Sequence, residues 1–182
     1  MTEVEDRDLL AMVTGGDRGA FDELMRRHED RVFAISLRIL RQRDAALDAV
    51  QDTFLTVFRK ADQFRGDSAF STWIYRVTVN TCYDHIRKAK RRRTDPLPES
   101  HDPIDAAAQE AIDAVDLRPD LTAALAQLSS EFRSAVVLVD VEGLPVAEAA
   151  QILEVAEGTI KSRLHRGRRQ LAGILGNPRE WE

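Results

Sequence analysis

From Asp95 to Asp120 the chain carries prolines at 96, 98, 103 and 119, with eight acids against one base, Arg118. Proline has no amide to donate inside a helix and pushes its predecessor out of helical geometry. No regular element can run through such a stretch. It divides the chain into residues 1–94 and 120–182, joined by an acidic linker over 95–119 whose AAAQEAIDAV part is helical only in transit. Neither flank shows sustained strand alternation, and both repeat apolar residues near the helical period. The expected fold is all-α, two small helical domains on a flexible linker.

In the first flank the spacing predicts helices over 8–15, 18–42 and 44–61. Phe21, Leu24, Met25, Val32, Ile35, Ile39 and Leu40 form the core stripe of the second, and Leu47, Val50, Phe54, Val57 and Phe58 that of the third. A loop over 62–70 follows, then Ser71 as N-cap of a helix over 72–92. Val77-Thr78-Val79 favours strand by propensity. No second strand exists to pair with it, and Tyr75, Val79, Cys82 and Ile86 make one apolar helical strip, so helix is expected. The second flank predicts helices over 120–128, 130–141, 145–153 and 157–175, stopped by Gly176 and Asn177.

The net charge of −5 hides a strong segregation. RKAKRRR at 87–93 has six positive charges, and residues 158–179 have six bases and no acid. Such asymmetry says more about partners than the total does. Cys82 is the only cysteine, which excludes a disulfide or a CxxC metal site. His28, His85, His101 and His165 share no ligand spacing, and no phosphate loop, nucleophile elbow or dinucleotide fingerprint is present. No cofactor and no catalysis are expected. With no signal peptide and no long apolar run, the expected location is cytoplasmic.

Three strips carry functional signal. On the helix from 44, Asp48, Gln51, Asp52 and Leu55 share one face, which reads as a solvated acidic face or as a protein-docking face anchored by Leu55. In FRGDSAFSTWIYRVTVNT (64–81), the loop Arg65-Gly66-Asp67-Ser68 offers amides, a carboxylate and a hydroxyl beside Phe64 and Phe70. Trp73, Arg76, Asn80 and Arg87 line up on the following helix. An amide side chain can read a base edge and the arginines can meet phosphates, so the segment can hold an unstacked base. The alternative is that Phe64, Phe70 and Trp73 only close the core. In PVAEAAQILEVAEGTIKSRLHRGRRQL (145–171), Ala149, Ala150, Leu153, Val155, Ile160 and Leu164 take the packing positions of a helix-turn-helix. Thr159, Lys161, Ser162, Arg163, His165 and Arg166 then occupy the first turns of the second helix, where base edges of a duplex are read.

These motifs resemble the extracytoplasmic-function (group IV) sigma factors of bacterial RNA polymerase, over nearly everything from Asp8 to Leu175. DAVQDTF (48–54), FRGDSAFSTWIYRVTVNT (64–81) and VAEGTIKSRLHRGRRQL (155–171) match the family's regions 2.2, 2.3–2.4 and 4.2 in order. VAEGTIKSR and the short tail point to the actinobacterial sigma-M-like members. The resemblance implies that Asp48, Gln51, Asp52, Phe54 and Leu55 dock on the β′ clamp helices of the polymerase core. It implies that Phe64 to Phe70 and Asn80, with Trp73, Arg76 and Arg87, capture a base flipped from the −10 element. Thr159, Lys161, Ser162, Arg163, His165 and Arg166 would read the −35 duplex, with region 4 on the β flap. Control would come from a separate, membrane-anchored anti-sigma factor, and the acidic linker would screen the basic surfaces of the free chain. Two departures matter. Glu154 stands where many members have a small or turn-forming residue, which predicts a strained turn. No base stands near Val139, which removes one expected backbone contact. The competing readings are a stand-alone helix-turn-helix regulator binding duplex as a dimer, which leaves 64–80 idle, and a helical adaptor, which leaves both basic helices unexplained.

Overall fold

The computed structural model describes residues 4–93 and 119–176, so the expected linker, with its proposed screening role, lies outside them up to residue 118. Among the described residues there are eight α-helices and no strand. The first half holds α1 (Asp6–Thr14), α2 (Arg18–Leu40), α3 (Arg43–Arg59) and α4 (Phe70–Arg93). The second holds α5 (Pro119–Gln127), α6 (Ser130–Val136), α7 (Val146–Leu153) and α8 (Glu157–Leu175).

Local chemistry sets the boundaries. The Asp17 carboxylate accepts from the amides of Gly19 at 2.9 Å and Ala20 at 3.2 Å, starting α2. Arg41, at φ 67, reverses the chain before α3, so α2 stops two residues short of the predicted 42. α4 begins at Phe70, not at 72: the Trp73 amide already donates to Ala69 O, which puts Ser71 inside the first turn instead of at the cap. Val77-Thr78-Val79 is helical, and the Thr78 hydroxyl donates to Ile74 O at 2.8 Å.

The core of the first half joins Leu24, Val32, Ile35 and Ile39 of α2 to Ile74, Val79 and Cys82 of α4, all fully buried. Each large apolar side chain there contributes about 1.5–3 kcal/mol by leaving water. On α3 the buried stripe is Ala46, Ala49, Thr53, Phe54 and Val57. This corrects the predicted core placement of Leu47 and Phe58, which are 42% and 50% exposed. Two alanines let α3 approach closely, and the stripe they start turns Leu47 outward. Phe58 only leans on Phe21, edge to face with centroids 5.1 Å apart.

In the second half, α6 runs into a wide π turn, Val137–Val141, closed by the Glu142 amide on Val137 O at 2.8 Å. The run predicted as one helix over 130–141 therefore changes its winding halfway. Glu154 ends α7 at φ 53, ψ 44, the left-handed geometry that a side chain resists. The predicted strain is present. Gly167 of α8 is buried where α6 crosses, and a Cβ there would sit 2.9 Å from Val136 Cγ2.

The halves pack on each other through α4 with α7, and α2 with α6 and the π turn. Arg133, 7% exposed, donates to the carbonyls of Leu125 (3.0 Å), Leu128 (2.7 Å) and Ala126 (3.2 Å), and across to Ile39 O (2.6 Å). Burial pulls its pKa down to about 10, so it stays charged at neutral pH. Glu142 receives Arg31 at 2.8 Å and also pairs with Arg38. Arg31 in turn stands over the Tyr75 ring, 5.2 Å from its centroid.

Candidate nucleic-acid interface and docking face

The loop before α4 is held by aromatic contact. Phe64, Phe70 and Trp73 form a triangle with centroids 5.4–6.0 Å apart. Phe70 and Trp73 are buried and Phe64 half-buried, so all three do close the core. Trp73 and Phe64 also line a hollow of about 430 Å³ with Arg65, Gly66, Asp67, Ser68 and Arg76. Gly66 turns the loop at φ 74, which lets backbone border the hollow without a side chain in the way.

The structure thus brings together most of the residues expected around an unstacked base. Phe70 lies behind the loop and not in the hollow. Asn80 is one turn beyond Arg76, exposed and outside the lining; Arg87 is further along and paired with Asp84. Sequence reasoning missed Gln63 and Thr72, both in the lining, and Gln151, which comes from α7. Thr72 donates to Glu148 at 2.8 Å, and Arg76 stands 3.9 Å from Glu154. Acids of α7 and its cap therefore face the basic edge of the hollow. Nothing in the sequence spacing announces a contact between these segments.

On α8, Lys161, Ser162, His165 and Arg166 are exposed. Thr159 is half-buried, its carbonyl taking the Ser162 hydroxyl at 2.9 Å. Arg163 turns back toward Glu131 at 3.7 Å, which removes it from the outward strip. Lys161 and His165 instead share a shallow hollow of about 480 Å³ with Arg169, a residue the sequence reading did not single out. Arg168 is tied to Asp140 by two hydrogen bonds at 2.6 and 3.1 Å.

On α3, Asp48, Gln51, Asp52 and Leu55 are exposed together, Leu55 at 51%. Leu47 and Phe58 extend the same face, adding apolar area that had been assigned to the core. Phe54 is buried and contributes to the core. Asp52 is fixed by His85 of α4 at 2.9 Å.

Two helical halves of this kind, with these surfaces, define a class. The family description "Sigma-70 region 2" matches residues 24–92, and "Sigma-70, region 4" matches 118–171. The chain is 42% identical over 174 residues to the ECF RNA polymerase sigma factor SigM of Mycobacterium tuberculosis, covering 96% of this chain and 86% of that one. It is 32% identical over 179 residues to the ECF RNA polymerase sigma-E factor of Salmonella typhimurium, covering 91% and 92%. Among solved structures it is similar to CnrH in complex with the cytosolic domain of CnrY (TM-score 0.71, 25% identity, 94% of this chain and 97% of that one). It is also similar to the sigma factor RpoE in complex with the anti-sigma factor NepR from Bartonella quintana (TM-score 0.70, 27% identity, 87% and 98%). The chain belongs to the extracytoplasmic-function sigma factors of bacterial RNA polymerase. It is a non-catalytic initiation factor. No described helix is long and apolar enough to cross a membrane.

Proposed function

We propose that this chain, working in the cytoplasm, carries polymerase core to promoters through three surfaces. α3 docks on the β′ clamp helices through Leu55, with Asp48, Gln51 and Asp52 around it and Leu47 and Phe58 widening the apolar contact. The hollow beside Trp73 and Arg76 takes a base flipped from the −10 element, and Asn80 and Arg87 follow the strand along α4. Lys161, Ser162, His165 and Arg166 read the −35 duplex, with Thr159 and Arg163 setting the pitch of α8 and region 4 lying on the β flap. Residues 1–94 and 120–182 are the working units, and 95–119 the tether.

The observation that carries this reading is the hollow itself: an aromatic wall, a loop with open backbone and a cation, on one rigid helix start. The packed halves add a condition. α7 stands beside the hollow with Gln151 in its lining, so a strand enters only after the halves part. Similarity over most of the chain to a sigma factor solved in complex with an anti-sigma factor supports this closed state as the one an anti-sigma factor holds.

The test is open-complex formation by holoenzyme carrying Asp67→Ala, Arg76→Ala or Asn80→Ala, on promoters recovered by run-off selection. Each variant is expected to lose roughly 1–3 kcal/mol of opening, the worth of one base contact, with core affinity unchanged. Opening at native levels by all three variants refutes the pocket.

A further inference from the structure

The loop bordering the hollow has a second side. Arg7, in the first turn of α1, lies against Gly66: its Cζ and Nη2 are 3.3 and 3.4 Å from where a Cβ would stand. Leu9, Leu10 and Val13 bury α1 in the core, so this guanidinium is carried by a fixed element. Its neighbour Arg27 is engaged with Glu23 at 2.7 Å, Asp6 at 3.0 Å and the Val4 carbonyl at 2.8 Å. Arg7 is exposed and has no hydrogen bond or ion pair among the described residues. A planar cation with unspent donors, resting on a glycine peptide, is suited to a phosphate.

Between α1 and the loop lies another hollow, of about 710 Å³, bordered by Arg7, Ser68, Phe70 and Ser71. Phe64, Gly66, Asp67 and Ser68 border this hollow and the first one alike. The loop is therefore a ridge between two hollows, and at Gly66 the Arg7 guanidinium lies where a side chain of the loop would otherwise stand. Asp6 is already engaged, by Arg27 at 3.0 Å and by the His28 ring nitrogen at 2.7 Å. Glu5 and Asp67 also line this hollow and repel a phosphate, so within its lining Arg7 is the cation left to bind one.

We infer that the α1 side of the loop holds a second unstacked nucleotide, adjacent to the captured one, with Arg7 binding the phosphate that joins them. A strand whose base enters the first hollow crosses the ridge at Gly66, over the guanidinium, and delivers its next nucleotide to the second. This rests on the reading of the first hollow as a base pocket.

The test uses holoenzyme and two forked templates from a selected promoter. In one the single-stranded non-template arm ends at the captured base; in the other it is one nucleotide longer. The native chain is expected to gain about tenfold in affinity from the added nucleotide, as one charge-assisted contact supplies. Arg7→Gln is expected to gain less than twofold, with the salt slope on the longer template shallower by about 0.7, one phosphate's share on a single strand. Arg7→Lys, keeping the charge, is expected to gain an intermediate amount. No gain in the native chain overturns the inference, as does an undiminished gain in Arg7→Gln. Equal weakening of that variant on both templates also overturns it, because Arg7 then only props the loop. An abasic site at the captured position that leaves the shorter template's affinity unchanged removes the first pocket itself, and is read independently of Arg7.

Discussion

Arg133 shows how much one side chain decides here. Its guanidinium meets four carbonyls, three in its own half and Ile39 O in the other, and no carboxylate. Arg133→Met is expected to strand those buried acceptors and cost about 3 kcal/mol or more, read as a lower denaturant midpoint. Cys82 is the second such residue. Burial raises its thiol to about 12, against an ordinary 9, so the protonated form belongs to the folded state. Stability from this group is complete below pH 9 and is lost as pH climbs toward 12. Comparing native and Cys82→Ala chains across pH 8–11, the native chain is expected to lose stability more steeply, and its thiol to react only as fast as the chain unfolds. The apolar strip had already placed Cys82 in the core. Arg133, in a sequence, is one more surface-type cation, and its role exists only because α5, α6 and the end of α2 converge on it.

At the scale of elements, helices and their order were legible because apolar period, Gly176 and the prolines all agree. What was not legible came from packing. Leu47 and Phe58 fit a helical period with Val50 and Val57, but the small Ala46 and Ala49 fix which stripe turns inward. The π turn at Val137–Val141 has no composition signal. Gly167 reads as a weak point in a helix, yet it is the contact that lets α6 and α8 cross. Gly167→Ala would gain about 1 kcal/mol from helix propensity in an open site. Here the overlap with Val136 is expected to reverse that, for a net loss of about 1–2 kcal/mol by denaturant titration. Glu154→Gly is expected to act oppositely, relieving a left-handed turn worth about 1 kcal/mol.

For the whole molecule, each candidate strip stood out in sequence, but not the contact between halves, since its partners lie 104 and 111 positions apart. That contact also accounts for Gln151 in the lining of the hollow beside Trp73 and for Glu148 on Thr72, where spacing placed only helix-turn-helix packing. Glu142→Ala removes the acid that Arg31 and Arg38 share across the halves, and is expected to remove about 3 kcal/mol of interaction between them. Fluorophores on α3 and α8 report it: transfer efficiency falls in the free chain, and promoter complexes form faster.

The central claim is most directly tested by titrating the chain into polymerase core and running run-off transcription from a random promoter library. The account predicts tight core binding and new transcripts that depend on paired −35 and −10 sequences. Direct binding to duplex DNA with no affinity for core would contradict it.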